Sequence, residues 1–250
     1  MLKLTNITLL SRLSDITVSA ESGKLIHVIG PNGAGKSSLL ASIAGLLPYQ
    51  GTIELQQRDI RHCSAIQLAD MRAYLSQQQD SRAMMLVFQY IALHQPKMAT
   101  ALEVETVVMF LAEQLELTDK LTRPLGQLSG GEWQRVRLVA VFLQVWPTLN
   151  PEARLLLLDE PMNSLDVAQQ AALDNLLMQF CQLGASAIVS AHNLNHTLHH
   201  ADEVWLFYQG QLIASGTTAE VMSVQQLEKV FHIGFELFQV NEQRWLRSIN

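Results

Sequence analysis

The stretch "KLIHVIGPNGAGKSSLLASIAGLL", Lys24 to Leu47, decides the fold. Its first part, "KLIHVIG", reads as a short buried strand, and "KSSLLASIAGLL" spaces its apolar residues as a helix does. Between them lies "GPNGAGKSS", Gly30 to Ser38, with Gly30, Gly35, Lys36 and Ser37 at phosphate-loop spacing. Glycines let backbone N–H groups converge on phosphate oxygens, Lys36 supplies a point charge for the β and γ groups, and Ser37 can ligate Mg²⁺. The flanking strand and helix are the context that separates such a loop from an ordinary tight turn.

Downstream, "LLLLDE" supplies a second half of a nucleotide site. Leu155 to Leu158 form a buried strand, and Asp159 and Glu160 follow at its carboxyl end, where open α/β sheets bind ligands. Asp159 is placed to hold Mg²⁺ through its water shell, and Glu160 to polarise the water that attacks a γ-phosphate. "ASAIVSAH" is another apolar strand, delivering His192 to the same kind of edge. His192, His196 and His200 recur at spacing four, as helix-borne zinc ligands do, but the Glu of the His-Glu-x-x-His pattern is absent. Metal binding by these histidines is therefore not expected.

Toward the amino terminus, "LKLTNITL", "SDITVSA" and "GTIELQQ" are short, β-rich and partly alternating, and predict a small antiparallel layer. From about Ser76 to Trp146 the period becomes helical, which predicts a helical insert; "PTLNP", Pro147 to Pro151, returns the chain to the sheet. Strand and helix then alternate up to a hairpin about Gln209–Gly210, the pattern of a mostly parallel α/β sheet.

Composition narrows the function. Lys and Arg total 17 against 23 Asp and Glu, a formal net charge of −6, without the basic stripe that nucleic acid demands. No apolar run approaches the ~18 residues of a membrane-spanning helix, and "MLKLTNITL" does not read as a leader. A cytoplasmic location is expected. Cys63 and Cys181 stand singly, in helix-like surroundings and without metal-ligand spacing.

"QLSGGEWQRVRL", Gln127 to Leu138, raises a separate question, because it looks like a second anion site. Ser129 with Glu132 three residues later makes a capping box, which starts a helix there and leaves Gly130 and Gly131 as its first, unobstructed turn.

Together these strings resemble the nucleotide-binding subunits of ABC transporters. "GPNGAGKSS" is similar to their Walker A loop, "LLLLDE" to Walker B, "LSGGE" to the signature, "NSLD" to the D-loop, "YLSQ" to the Q-loop at Gln77, and His192 to the switch histidine. The resemblance implies an α/β P-loop NTPase (RecA-like) core with an antiparallel β layer at 1–75 and 147–250, and a helical subdomain at 76–146. It implies ATP and Mg²⁺ as cofactors. Gly30, Pro31, Asn32, Gly33, Ala34, Gly35, Lys36, Ser37 and Ser38 would wrap the phosphates, and Ser37, Gln77 and Asp159 would hold the metal. Glu160, His192, Lys36 and Gln77 would serve catalysis.

It further implies a head-to-tail dimer, in which Ser129, Gly130 and Gly131 of a second copy reach the γ-phosphate and Asp166 communicates between the sites. A membrane permease would be driven from its cytoplasmic face, with a periplasmic binding protein acting indirectly and no nucleic acid involved. "QDSRAMMLVFQYIALHQ" would grip that permease or serve as core. The region upstream of Walker A lacks the usual adenine-stacking aromatic residue, so Arg12 or Leu10 would take that place. "AYLSQQQ" and "LLLLDEPMNSLDVAQQ" resemble the importers of this family and imply vitamin B12, or a related chelate such as an iron siderophore, as cargo.

Overall fold

A computed structural model describes residues 1–77, 84–241 and 243–249 of the chain. Contacts divide it into two compact units, Met1–His62 with Ile188–Asn250, and Cys63–Ala187.

In chain order the first unit begins with β1 (Leu2–Leu9), β2 (Leu13–Ala20), β3 (Leu25–Ile29), α1 (Lys36–Ile43), β4 (Gln50–Leu55) and β5 (Arg58–Asp59). The second contributes α2 (Ala65–Met71), β6 (Arg72–Leu75), α3 (Val87–Ala92), α4 (Ala101–Gln114), α5 (Gly130–Gln144), β7 (Leu155–Asp159) and α6 (Val167–Gln182). Then follow β8 (Ser186–Ser190), α7 (Leu194–His200), β9 (Glu203–Tyr208), β10 (Gln211–Thr217), α8 (Thr218–Val221), α9 (Val224–Phe231), β11 (Gly234–Val240) and β12 (Gln243–Ile249).

Within the first unit, the alternating early segments form the expected antiparallel layer in the order β2-β1-β4-β5. Its register sets Leu2 opposite Ala20 and Leu55, and Leu4 opposite Val18 and Ile53, so one face is a continuous buried surface. Strand β3 is buried throughout and pairs in parallel with β9, Ile26 opposite Glu203 through Ile29 opposite Leu206. The hairpin β9–β10 turns at Gln209 and Gly210, both at positive φ, as the Gln-Gly pair suggested.

The second unit holds the parallel pair β6 and β7, with Arg72 opposite Leu155 and Leu75 opposite Leu158. Phe110 of α4, Phe142 of α5, Phe180 of α6 and Trp146 meet with ring centroids 5.7–6.1 Å apart, a core that ties the three helices together. Cys63 sits in the bend between the 3-10 turn Ile60–His62 and α2, and Cys181 is buried in α6. No helix among the described residues is long and apolar enough to cross a membrane.

The sequence patterns read above extend no further than β10. Beyond it the chain forms α8, α9 and the ribbon β11–β12, of which Phe235 and Leu246 join a buried cluster with Ile29, Val204 and Leu206. The side chain of Asn195 in α7 fixes this ribbon by bonding both backbone groups of Leu246, at 2.9 and 2.7 Å.

Candidate active site

In the first unit β3 runs directly into Gly30, and α1 starts at Lys36. The N-cap of α1 is Gly35, at φ 103°, with no side chain bonded to the helix end. No side chain closes the start of α1, so an anion can approach it with the helix dipole behind. Gly35 is required twice over: its φ suits only glycine, and a Cβ there would lie 2.9 Å from the Arg12 carbonyl oxygen. Gly33, at φ 78°, has open space where a side chain would stand.

Lys36 is buried at 6% exposure, and its Nζ donates to the carbonyls of Gly30 at 2.8 Å and Pro31 at 3.1 Å. The ammonium is therefore held inside the loop, at the place a phosphate chain would need it. Asn32 and Ser37 are exposed, and Ser38 partly so.

Three further segments of the same unit support the loop. The turn between β1 and β2 places the Arg12 backbone against both Gly35 and Gly210. Gly210 is tied to the loop by its N–H to the Ala34 carbonyl, at 3.1 Å. Ala191 donates to the Val28 carbonyl at 3.0 Å, which brings the exposed His192 to the edge where β3 ends and the loop begins.

His27, in the centre of β3, was not singled out by the sequence. It is buried at 1% exposure, with Nδ1 3.0 Å from Thr197 Oγ1. Burial, and then the nearby His196 and His200, push it down to about 3. His27, His196 and His200 stack as a column, with centroid separations of 5.6 and 4.5 Å.

In the second unit Asp159 ends β7 and is buried at 2% exposure. Burial first, and then the Asp159 charge, raise the neighbouring Tyr74 hydroxyl to about 12, with Arg137 opposing. Glu160 has φ 50°, a strained conformation for a side chain of its kind and one that clusters at functional sites. Its Oε2 accepts 2.7 Å hydrogen bonds from Gln77 Nε2 and from Asn163 Nδ2. The structure thus brings both Gln77 and Asn163 to Glu160. Asn163 opens the "NSLD" string, three residues after Glu160 and in the turn before α6.

Ser129 is the N-cap of α5 and makes the predicted capping box: Ser129 N–H to Glu132 Oε2 at 2.8 Å and Glu132 N–H to Ser129 Oγ at 3.2 Å. Gly130 faces open space, but Gly131 does not. A Cβ on Gly131 would stand 2.8 Å from the Ser164 carbonyl oxygen, so that half of the turn is closed by the "NSLD" loop. Asp166 caps α6 by accepting from Gln169 N–H at 2.9 Å.

A glycine loop at a helix end that no side chain caps suits phosphates. The loop is that of a phosphate-loop nucleoside triphosphatase, and the chain belongs to the ABC transporter family, whose model matches residues 13–163. It is 52% identical over 248 residues to the vitamin B12 import ATP-binding protein BtuD of Yersinia pseudotuberculosis, covering 99% of this chain and 98% of that one. To the protein of the same name in Pectobacterium atrosepticum it is 55% identical over 245 residues, 98% of each. Among solved structures, an ATP-binding subunit of an ABC transporter superposes with a TM-score of 0.79 at 22% identity, covering 92% of this chain and 93% of that one. An inward-facing metal-chelate type ABC transporter gives 0.77 at 22% identity, covering 99% and 96%.

Proposed function

We propose that this chain is the ATP-hydrolysing subunit of a vitamin B12 importer. The observation that carries the reading is the likeness, over nearly the full length of both chains, to relatives named vitamin B12 import ATP-binding proteins.

Gly30 to Ser38 bind the triphosphate, with Lys36 neutralising its β and γ groups and Arg12 lying against the base. Ser37, Gln77 and Asp159 would hold Mg²⁺, which would supply positive charge to the phosphate oxygens. Glu160 takes the proton of the attacking water. Gln77 and Asn163 fix its carboxylate for that task, and His192 hydrogen-bonds the γ-phosphate.

Two copies pair head to tail, so that Ser129, Gly130 and Gly131 of one copy meet the nucleotide of the other, and Asp166 signals between the sites. Residues 1–75 and 147–250 act as the ATPase core, and 76–146 as the subdomain that engages the permease. Of the segment expected to grip the permease, Gln79 to Ala83 lie outside the described residues. Val87 and Ile91 are core, while Met84, Phe88 and Leu93 are exposed and available to a partner. The subunit sits on the cytoplasmic face of the bacterial inner membrane, and a periplasmic binding protein acts on it through the permease.

Glu160→Gln tests the chemistry. ATP binding should persist while turnover falls by ~100-fold or more; near-normal turnover would remove Glu160 from its role. Cargo is tested by copurifying the chain with its permease. Acceleration of ATP turnover by a B12-loaded binding protein supports the reading, and acceleration by another chelate alone reassigns the cargo.

A further inference from the structure

Arg137 has no part in the machinery above, yet it is buried at 3% exposure in the middle of α5. A guanidinium inside a protein is costly unless its donors are well placed, and burial here pushes it below its ordinary value. No ion pair to an acid is found for it among the described residues. Its partners are neutral: Nη2 donates to the Ser76 carbonyl at 2.5 Å and lies 3.4 Å from Ser76 Oγ, and Nη1 donates to Gln134 Oε1 at 3.1 Å.

Gln134, one turn earlier on the same helix face, donates from Nε2 to the Pro161 carbonyl at 3.1 Å. Ser76 precedes Gln77, and Pro161 follows Glu160. The Gln77–Glu160 hydrogen bond therefore closes a ring: Ser76, Gln77, Glu160, Pro161, Gln134, Arg137 and back to Ser76. Every member lies in one compact unit.

The geometry points to Arg137, acting with Gln134, as the positioning residue that sets the Gln77–Glu160 contact and ties it to the helix whose first turn is Gly130–Gly131. The forked guanidinium spans two acceptors that a single ammonium cannot hold in the same geometry. A tilt of α5 would move Ser76, held by Arg137, and Pro161, held by Gln134, by different amounts and so displace Gln77 relative to Glu160. This inference rests on the ATPase reading above, because its consequence is read in hydrolysis.

The test compares ATP turnover of the full chain with that of Arg137→Lys, Arg137→Met and Gln134→Leu. Thermal melting is followed alongside to register any loss of folded protein. We expect kcat to fall ~10- to 100-fold, with KM for ATP changed less than threefold and ATP binding kept, as for a misplacement of about 1 Å at the reacting groups. Arg137→Lys should recover part of the loss that Arg137→Met shows. If Arg137 acts through Gln77, then Gln77→Ala combined with Arg137→Met will be no slower than Gln77→Ala alone. Fully additive losses in that pair would overturn the inference, as would wild-type kcat in both Arg137 variants or losses that match only the unfolded fraction. A wild-type chain that hydrolyses no ATP would instead overturn the functional reading.

Discussion

Two helices of this chain begin at glycines, and they begin differently. At α1 the cap is Gly35, no side chain closes the end, and Lys36 is folded back into the loop. At α5, Ser129 and Glu132 close the end reciprocally, and only the Gly130 side of the first turn is open. The first end can enfold an anion from several sides, whereas the second can only touch one presented to it. A full cradle suits a nucleotide bound by its own chain; a capped and partly closed end suits a terminal phosphate carried by a second molecule.

Removing the charge at α1 should have the largest effect. Lys36→Ala is expected to lower turnover by ~10²- to 10³-fold and to weaken nucleotide binding to the isolated chain, measured by fluorescent-nucleotide titration. Ser129→Arg should leave that binding unchanged while turnover is lost; weakened binding by the isolated chain would erase the distinction between the two ends.

The glycines of α5 give the next effect. Gly131→Ala forces a Cβ to 2.8 Å from the Ser164 carbonyl and should cost about 1–3 kcal/mol in denaturant unfolding. Gly130→Ala, facing open space, should be neutral or stabilising by up to ~1 kcal/mol. Ser129→Ala should cost about 1 kcal/mol through the lost cap.

The smallest effect is a pH dependence. Hydrogen bonds from the Ser129 N–H first, and then from its hydroxyl, lower the Glu132 carboxyl below its ordinary 4.5. A carboxyl depressed on folding stabilises above its unfolded value and loses that contribution as pH falls through the folded one. Acid titration below about pH 4.5 should therefore erode the wild type slightly more than Glu132→Gln, read as a difference in Tm.

What was legible in the sequence was local. The phosphate loop, its strand and helix, the α5 capping box and the alternation within each early strand are set by residues a few positions apart, where periodicity and capping rules act. What was missed depends on contacts between distant segments. Arg137 reaches Ser76 across 61 positions, Gln134 reaches Pro161 across 27, and His27 reaches Thr197 across 170. Gly131 looked open because its obstruction, Ser164, arrives from another loop. The β11–β12 ribbon escaped because most of its residues are exposed, so burial imposes little apolar alternation on "GFELFQV".

The most direct measurement of the difference between the two helix ends is the ATP-dependent mass of Glu160→Gln in solution, by sedimentation, with and without Ser129→Arg. The account predicts that ATP doubles the mass of Glu160→Gln, and that the double variant binds ATP equally well yet stays single. A Glu160→Gln chain that remains single with ATP bound, or a double variant that pairs as readily, would contradict it.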